Sequence, residues 1–210
     1  MSTLETLYAA VIEGDAKGTT AGIAQSLDAG IEPSVILNQS LIPAMAEVGK
    51  RFEQGEYYVP EMLVAARAMK AGLELLKPRL IAAAVEPVGK IALGTVKGDL
   101  HDIGKNLVAM MMEGAGFQII DLGVDVPPEK FAAAIEDGVQ IIGMSAMLTT
   151  TMPWMNKTIE HLVKTGLRER VRVMVGGAPV NDAFAHAIGA DAYANDASTA
   201  ARRALELIRL

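Results

Sequence analysis

The second half of the chain alternates short apolar runs with amphipathic stretches, and this alternation constrains the fold more than any other feature. The apolar runs are rich in β-branched residues and short enough to be buried strands. They read KIALGTV (90–96), FQIIDLGV (117–124), VQIIGMSAM (139–147), VRVMVGG (171–177) and DAYA (191–194). Helical segments are predicted at 104–115, 128–137, 152–166, 181–188 and 197–209. Five such strand–helix units predict a parallel sheet covered by helices on both faces.

The order of these strands decides where a ligand can bind. We predict the flavodoxin-like winding, with strand order 2-1-3-4-5. Its ligand crevice lies outside the carboxyl ends of the strands, beside the first strand. The loops that follow the strands should therefore form one rim, and they read GDLHDIG, GVDVPP, SAMLTTT, GGAP and NDAS.

The first half of the chain has helical periodicity instead. Apolar residues recur at helical spacing from Thr3 to about Lys77, with an apparent break at Gly18–Gly22. This pattern predicts a bundle of four or five helices. Pro78 and the segment 82–90 interrupt it, which puts the domain boundary near residue 87. The fold class is therefore an all-α helical bundle, residues 1–87, followed by an α/β flavodoxin-like (Rossmann-type) domain with a five-stranded parallel sheet, residues 88–210.

Composition removes several classes of function. The chain has no cysteine, which excludes disulfides, thiolate metal sites and iron–sulfur clusters. Its formal charge of −6, without a basic stripe, argues against a nucleic-acid partner. No window approaches the ~18 apolar residues of a membrane span, and the N-terminus carries acids where a signal peptide carries bases. We expect a cytoplasmic protein without membrane or nucleic-acid partners.

His101 is the only histidine in a rim loop, within GDLHDIGKNLV (98–108). Asp99 can reach the same side and fix the imidazole tautomer, which leaves the other ring nitrogen free for a metal. Alternatively, Asp99 or Asp102 only caps the helix that begins near Ile103. Because no companion ligands stand at metal-ligand spacing, a single histidine ligand fits a metal held in a macrocycle, such as haem or a corrin.

Glycines and hydroxyls occupy the neighbouring rim loops. Gly176 and Gly177 follow the fourth strand and Gly143 interrupts the third, and glycine lets a bulky ligand approach the backbone closely. A glycine pair after a strand is equally an ordinary loop. The segment SAMLTTT carries four hydroxyls that could line a polar slot.

Together these residues resemble a known family. D-x-H-x-x-G (Asp99, His101, Gly104), an S-x-L-like segment (Ser145–Met147, with Met in place of Leu) and the glycine pair resemble the cobalamin-binding domain. The first half resembles the helical cap domain that precedes it in methionine synthase and in the corrinoid proteins of methanol, methylamine and aryl-ether methyltransferase systems. The resemblance covers essentially the whole chain.

The resemblance implies a cobalamin or related corrinoid, bound base-off, with His101 as the lower ligand of cobalt. Asp99 would hold the far ring nitrogen and Thr151 would complete a catalytic relay. In FEQGEYYVP, Phe52 and Val59 match positions that cap the methyl face. The full set of implied cofactor contacts is Gly98, Asp99, Leu100, His101, Asp102, Ile103, Gly104, Ser145, Met147, Leu148, Thr149, Gly176, Gly177, Ala178, Ala194, Asp196, Ala197, Phe52 and Val59.

The implied function is a methyl carrier that is not a complete enzyme alone. Its partners would be a substrate-specific methyltransferase, an acceptor methyltransferase using tetrahydrofolate or a thiol, and a reductive activase. One alternative is a cobalamin-dependent regulator or sensor, although no basic helix-turn-helix is present and the single tryptophan, Trp154, lies in the second half. Another is a phosphorylated receiver-like domain, which needs an aspartate where Ser145 stands.

Overall fold

The computed structural model describes residues 2–209. The chain divides into two compact units. The first contains residues 1–87 and 113–116, and the second contains residues 88–112 and 117–210. Within the described residues, no helix combines the length and apolar character needed to cross a membrane.

The first unit is helical, as predicted. Its helices are α1 (Thr3–Ile12), α2 (Ala16–Asp28), α3 (Pro33–Ile36), α4 (Ile42–Glu53) and α5 (Val59–Ala82), and a π-helical turn (Leu37–Leu41) joins α3 to α4. Large apolar side chains from these helices are fully buried and form the core, among them Leu7, Ile23, Leu41, Met45, Met62 and Met69.

Two expected helix breaks are wrong. Helix α2 runs through both Gly18 and Gly22. The break between α1 and α2 lies one turn earlier, where the Asp15 side chain caps α2 by accepting a hydrogen bond from the Gly18 amide (2.9 Å). Gly22 stays helical because it packs closely on Leu7 of α1. Helix α5 likewise continues through Pro78 to Ala82. A proline inside a helix removes one backbone donor and crowds the carbonyl four residues earlier, at a cost of about 3 kcal/mol, yet α5 continues for one more turn.

The second unit contains the predicted sheet. Its strands are β1 (Lys90–Val96), β2 (Gln118–Val126), β3 (Ile141–Ser145), β4 (Arg172–Gly176) and β5 (Ala192–Ala194). All neighbouring pairs are parallel and the order is β2-β1-β3-β4-β5, which confirms the predicted winding. The helices are α6 (Ile103–Gly114), α7 (Pro128–Glu136), α8 (Pro153–Lys164), α9 (Asp182–Ala187) and α10 (Ala197–Leu207), with a 3₁₀ turn at Arg168–Arg170.

Strand ends differ from the predicted ones in a way that shapes the rim. Strand β3 ends at Ser145, so Ala146 and Met147 belong to the loop, whereas β2 continues to Val126. Gly143 was predicted to make room for a ligand. In the structure, the side chain of Leu93 fills the space that a Cβ at this position would need. Packing between β1 and β3, rather than an approaching ligand, accounts for this glycine.

Helix α6 is held to the edge strand by a buried lysine. The Lys105 side chain is 3% exposed, and its Nζ donates to Asp121 on β2 (2.6 Å) and to Asn106 (2.8 Å). Burial would raise the pKa of Asp121, but hydrogen bonds from Lys105 and the Gly123 amide hold it below its usual value. The pair therefore ties the start of α6 to β2.

We expect Asp121→Ala to destabilise the second unit by about 1–2 kcal/mol, because it leaves the Lys105 ammonium buried without its partner, while the half-exposed carboxylate limits the loss. Lys105→Met should cost less, since it leaves no buried charge. The Asp121 pKa is lower in the folded state, so its contribution is complete at neutral pH and declines as the pH falls below about 4. Urea unfolding followed by Trp154 fluorescence measures both effects. Equal losses for the two variants at pH 7 would contradict this account.

Candidate functional site

The loop between β1 and α6 carries Asp99 and His101 at the carboxyl end of the sheet. It turns at Gly98, whose φ of +81° favours glycine. The Asp99 amide donates to the carbonyl of Val96 (3.1 Å), and the carbonyl of His101 accepts from the Thr95 hydroxyl (2.9 Å). The loop is therefore tied to the end of β1 on both sides of Asp99.

The Asp99 carboxylate is fully buried and accepts hydrogen bonds from five donors. Its Oδ1 accepts from the amide (3.1 Å) and Nδ1 (2.7 Å) of His101. Its Oδ2 accepts from the amides of Met147 (2.8 Å) and Leu148 (3.3 Å) and from the Thr151 hydroxyl (2.7 Å). Burial alone would raise the pKa of this carboxyl, but the hydrogen bonds hold it well below its usual range. Asp99 is therefore ionised.

An ionised Asp99 fixes the state of the imidazole. A carboxylate has no proton to donate, so Nδ1 of His101 carries a proton, and in the neutral imidazole the free lone pair is on Nε2. The imidazole side chain is 56% exposed, whereas its partner is fully buried. His101 thus presents an oriented, half-exposed imidazole at the rim.

The surroundings of His101 fit a flat metal-containing group. Four large apolar side chains on the same loops are unusually exposed: Leu100 (72%), Ile103 (83%), Met147 (49%) and Leu148 (43%). An apolar patch of this kind marks a binding surface. Among the described residues, no group of three or more His, Cys, Asp or Glu side chains could hold a metal ion. One exposed imidazole, with exposed apolar side chains near it in the chain and on the loop that holds Asp99, suits a metal whose other ligands come from a macrocycle.

The glycine pair at the end of β4, Gly176 and Gly177, is required by the protein's own backbone. Gly177 has a φ of +125°, and a Cβ there would overlap the carbonyl oxygen of Ala146. A Cβ on Gly176 would lie 2.9 Å from the carbonyl oxygen of Ala194. The ends of β3, β4 and β5 can approach this closely only if both residues are glycine. Their predicted role in making room for a ligand stays a prediction.

The remaining predicted contacts in the second unit fall into two groups. Gly104, Thr149 and Ala178 are exposed, and Ser145 is partly buried beside the Asp99 network. The second group has roles in the fold. The Asp196 carboxylate caps α10 by accepting a hydrogen bond from the Thr199 amide (2.7 Å), and Ala194 and Ala197 are buried. Asp102 precedes α6, and its carboxylate accepts from the side-chain amide of Asn106 (3.1 Å).

Phe52 and Val59 belong to the first unit. Val59 is 44% exposed and Phe52 is partly exposed. Their predicted position over the methyl face stays a prediction.

Sequence reasoning missed three contributors to the Asp99 network. Two are the backbone amides of Met147 and Leu148, which any residue types could supply, so no sequence signal identifies them. The third is Asp125, whose amide donates to the Asp99 carbonyl (3.0 Å) and whose Oδ1 accepts from the Gly98 amide (2.7 Å). The available signal was an aspartate in the loop GVDVPP at the same rim.

The fold and this site define a B12-binding protein. A B12 binding domain family matches residues 89–205, and a second B12 binding domain family matches residues 3–77. The chain belongs to the B12-binding corrinoid proteins and binds a corrinoid cofactor.

Relatives and solved structures agree with this assignment. The chain is 46% identical over 180 residues to dimethylamine corrinoid protein 1 of Methanosarcina acetivorans, covering 85% of this chain and 84% of the relative. It is 39% identical to a corrinoid protein of Desulfitobacterium hafniense, covering 99% of this chain and 98% of the relative. The structure of a cobalamin-binding protein from Desulfitobacterium hafniense has a TM-score of 0.82 at 30% identity, over 99% of both chains. A chain of the methanol:cobalamin methyltransferase complex of Methanosarcina barkeri has a TM-score of 0.88 at 27% identity, over 99% of this chain and 80% of that one.

Proposed function

We propose that this protein is a methyl carrier of a corrinoid-dependent methyltransferase system, with His101 as the lower ligand of the cobalt. When bound, the corrinoid supplies the metal that holds and releases the methyl group. The observation that carries the proposal is the Asp99–His101 contact, in which a buried carboxylate orients an exposed imidazole. The regulatory alternative has no comparable support.

The residues around His101 have separate tasks in this proposal. Asp99 would hold a proton on Nδ1, so that Nε2 of the neutral imidazole could bind the metal. Thr151 and the two amides of the β3 loop keep the carboxylate from rotating, because they engage the oxygen that the imidazole does not use. Leu100, Ile103, Met147 and Leu148 would pack against the macrocycle and exclude water from the metal site.

The nucleotide tail of the corrinoid is assigned to the ends of β3, β4 and β5. Ser145 contacts the tail, Thr149 contacts the corrin, and Gly176, Gly177 and Ala178 leave room for the tail. The loop around Asp196 closes the far end. Two observations support this assignment: these residues lie at the rim, and the segment 176–178 at the end of β4 carries no bulky side chain.

The proposed partners are enzymes that supply and remove the methyl group. The dimethylamine corrinoid relatives and the methanol:cobalamin methyltransferase complex support a substrate-specific methyltransferase as the first partner, with a methylamine or methanol as the methyl source. The acceptor methyltransferase, using tetrahydrofolate or a thiol, and a reductive activase complete the proposed set.

His101→Ala tests the ligand directly. We expect the wild-type protein, loaded with cobalamin and reduced to Co(II), to give an EPR spectrum in which one protein nitrogen splits the cobalt lines into triplets. Labelling the histidines with ¹⁵N should convert the triplets to doublets, and His101→Ala in the labelled protein should remove these doublets. His161→Ala is the matched control, because His161 lies within α8 away from the rim and should keep it. Persistence of the histidine splitting in His101→Ala would exclude His101 as the ligand.

A further inference from the structure

Asp125, on the neighbouring strand β2, makes two hydrogen bonds to the loop that carries Asp99. Its Oδ1 accepts from the Gly98 amide (2.7 Å), and its own amide donates to the Asp99 carbonyl (3.0 Å). The two hydrogen bonds enclose the peptide unit between Gly98 and Asp99. Among the described residues outside β1, Asp125 is the one that bonds the main chain of Gly98 and Asp99, so the position of Asp99 depends on the end of β2.

The backbone of Asp125 has an unfavourable conformation where it makes these two hydrogen bonds. Its φ is +53°, and among the described non-glycine residues only Ala84 shares a positive φ. Such a conformation costs free energy, and it persists only where the surroundings impose it. Aspartate is among the residues that tolerate it best. The register between β1 and β2 also shifts twice, between Leu93 and Gly94 and between Gly94 and Val96, which reshapes the end of β2 where Asp125 stands.

The two hydrogen bonds of Asp125 fix the main chain of Asp99, in addition to the bonds that fix its carboxylate. The β3 loop and Thr151 hold the carboxylate, whereas Asp125 holds the main chain from which that carboxylate extends. The His101 ring takes its direction from Asp99 Oδ1. A shift of the Gly98–Asp99 peptide would therefore move the imidazole, even though Asp125 does not touch it.

We infer that Asp125 is a positioning residue for His101, which sets how strongly the imidazole competes for the cobalt by fixing the Gly98–Asp99 peptide. This inference rests on the proposed role of His101 as the metal ligand. Asp125→Gly isolates the side chain, because glycine accepts the positive φ and keeps the amide that donates to Asp99, while it removes the acceptor for Gly98. Asp125→Asn keeps both an acceptor oxygen and tolerance of this φ, so it should restore the wild-type behaviour.

The test is a competition between His101 and added ¹⁵N-imidazole in the cobalamin-loaded Co(II) protein. Displacement converts the EPR triplets of the protein's ¹⁴N ligand into doublets, and the midpoint concentration measures how strongly His101 is held. Loss of one hydrogen bond of ordinary strength predicts a midpoint about fivefold lower for Asp125→Gly. Asp125→Ala should lower it to a similar extent, and Asp125→Asn should stay within about twofold of wild type.

Controls separate positioning from stability and from the proposed function itself. Gly189→Ala lies in a turn away from the rim and, with a φ of +75°, should destabilise the second unit without changing the midpoint. Wild-type midpoints for both Asp125→Gly and Asp125→Ala would overturn the inference, as would failure of both variants to fold, which would make Asp125 a residue of the fold only. Absence of protein-nitrogen triplets in the wild type would instead refute the ligand role of His101.

Discussion

Gly177→Ala is expected to destabilise the second unit by at least about 4 kcal/mol, enough to prevent stable folding of an ordinary domain. Two independent penalties coincide at this position. A φ of +125° lies in a region that residues with a Cβ rarely adopt. The added Cβ would also overlap the carbonyl oxygen of Ala146, which is backbone of a buried residue and cannot move like a flexible side chain. Urea unfolding of the cofactor-free protein, followed by Trp154 fluorescence, measures the loss.

Gly189→Ala is the matched control for this prediction. Gly189 also has a positive φ, +75°, but a Cβ there meets nothing within 4 Å. It carries the conformational penalty alone, so we expect a loss of about 1 kcal/mol. If the two substitutions cost the same, the close approach of Gly177 to Ala146 is not what requires glycine.

Asp99→Ala should cost about 3–5 kcal/mol, because it removes the shared acceptor of five donors in a buried position. The Met147 amide would lose its acceptor, and the Thr151 hydroxyl would keep only the Leu148 carbonyl (2.8 Å). Asp99→Asn should cost roughly half as much, since one oxygen remains as an acceptor while the amide group opposes donors on the other side. Thermal and urea unfolding of the cofactor-free protein give these values.

The same substitution has a second readout in the loaded protein. Without the carboxylate, the proton on Nδ1 and the ring direction are no longer imposed on His101, so the histidine splitting in the Co(II) EPR spectrum should weaken or disappear. Asp137→Ala, an exposed position at the end of α7, is the control and should change stability by no more than about 0.5 kcal/mol. A stable Asp99→Ala protein with wild-type splitting would show that the network has neither role.

The strand order and the rim loops were predictable because each strand is short, apolar and followed by a helical segment. Buried parallel strands such as β1 need continuous apolar residues, and this pattern is visible without the fold. Helix ends were less predictable. Gly18, Gly22 and Pro78 are common helix breakers, but the Asp15 cap and the packing of Gly22 on Leu7 keep α2 helical, and α5 continues past Pro78 in an exposed last turn that packing does not explain.

The roles of individual rim residues could not be decided in the same way. The sequence left Asp99 open between a histidine partner and a helix cap, and the donors that resolve this stand up to 52 positions away, at Thr151. The glycine pair is another case, because the atoms that require it belong to Ala146 and Ala194 on other strands.

The sequence by itself determined the two-part organisation, the parallel sheet and the segment that presents His101, because periodicity and strand–helix alternation are local properties. Only the tertiary structure decided that Asp99 is buried and ionised and that position 177 requires glycine. It also decided that Asp125 makes hydrogen bonds on both sides of the Gly98–Asp99 peptide. These properties depend on which backbone groups meet at the carboxyl ends of different strands. Such contacts join residues far apart in the chain, and no local pattern records them.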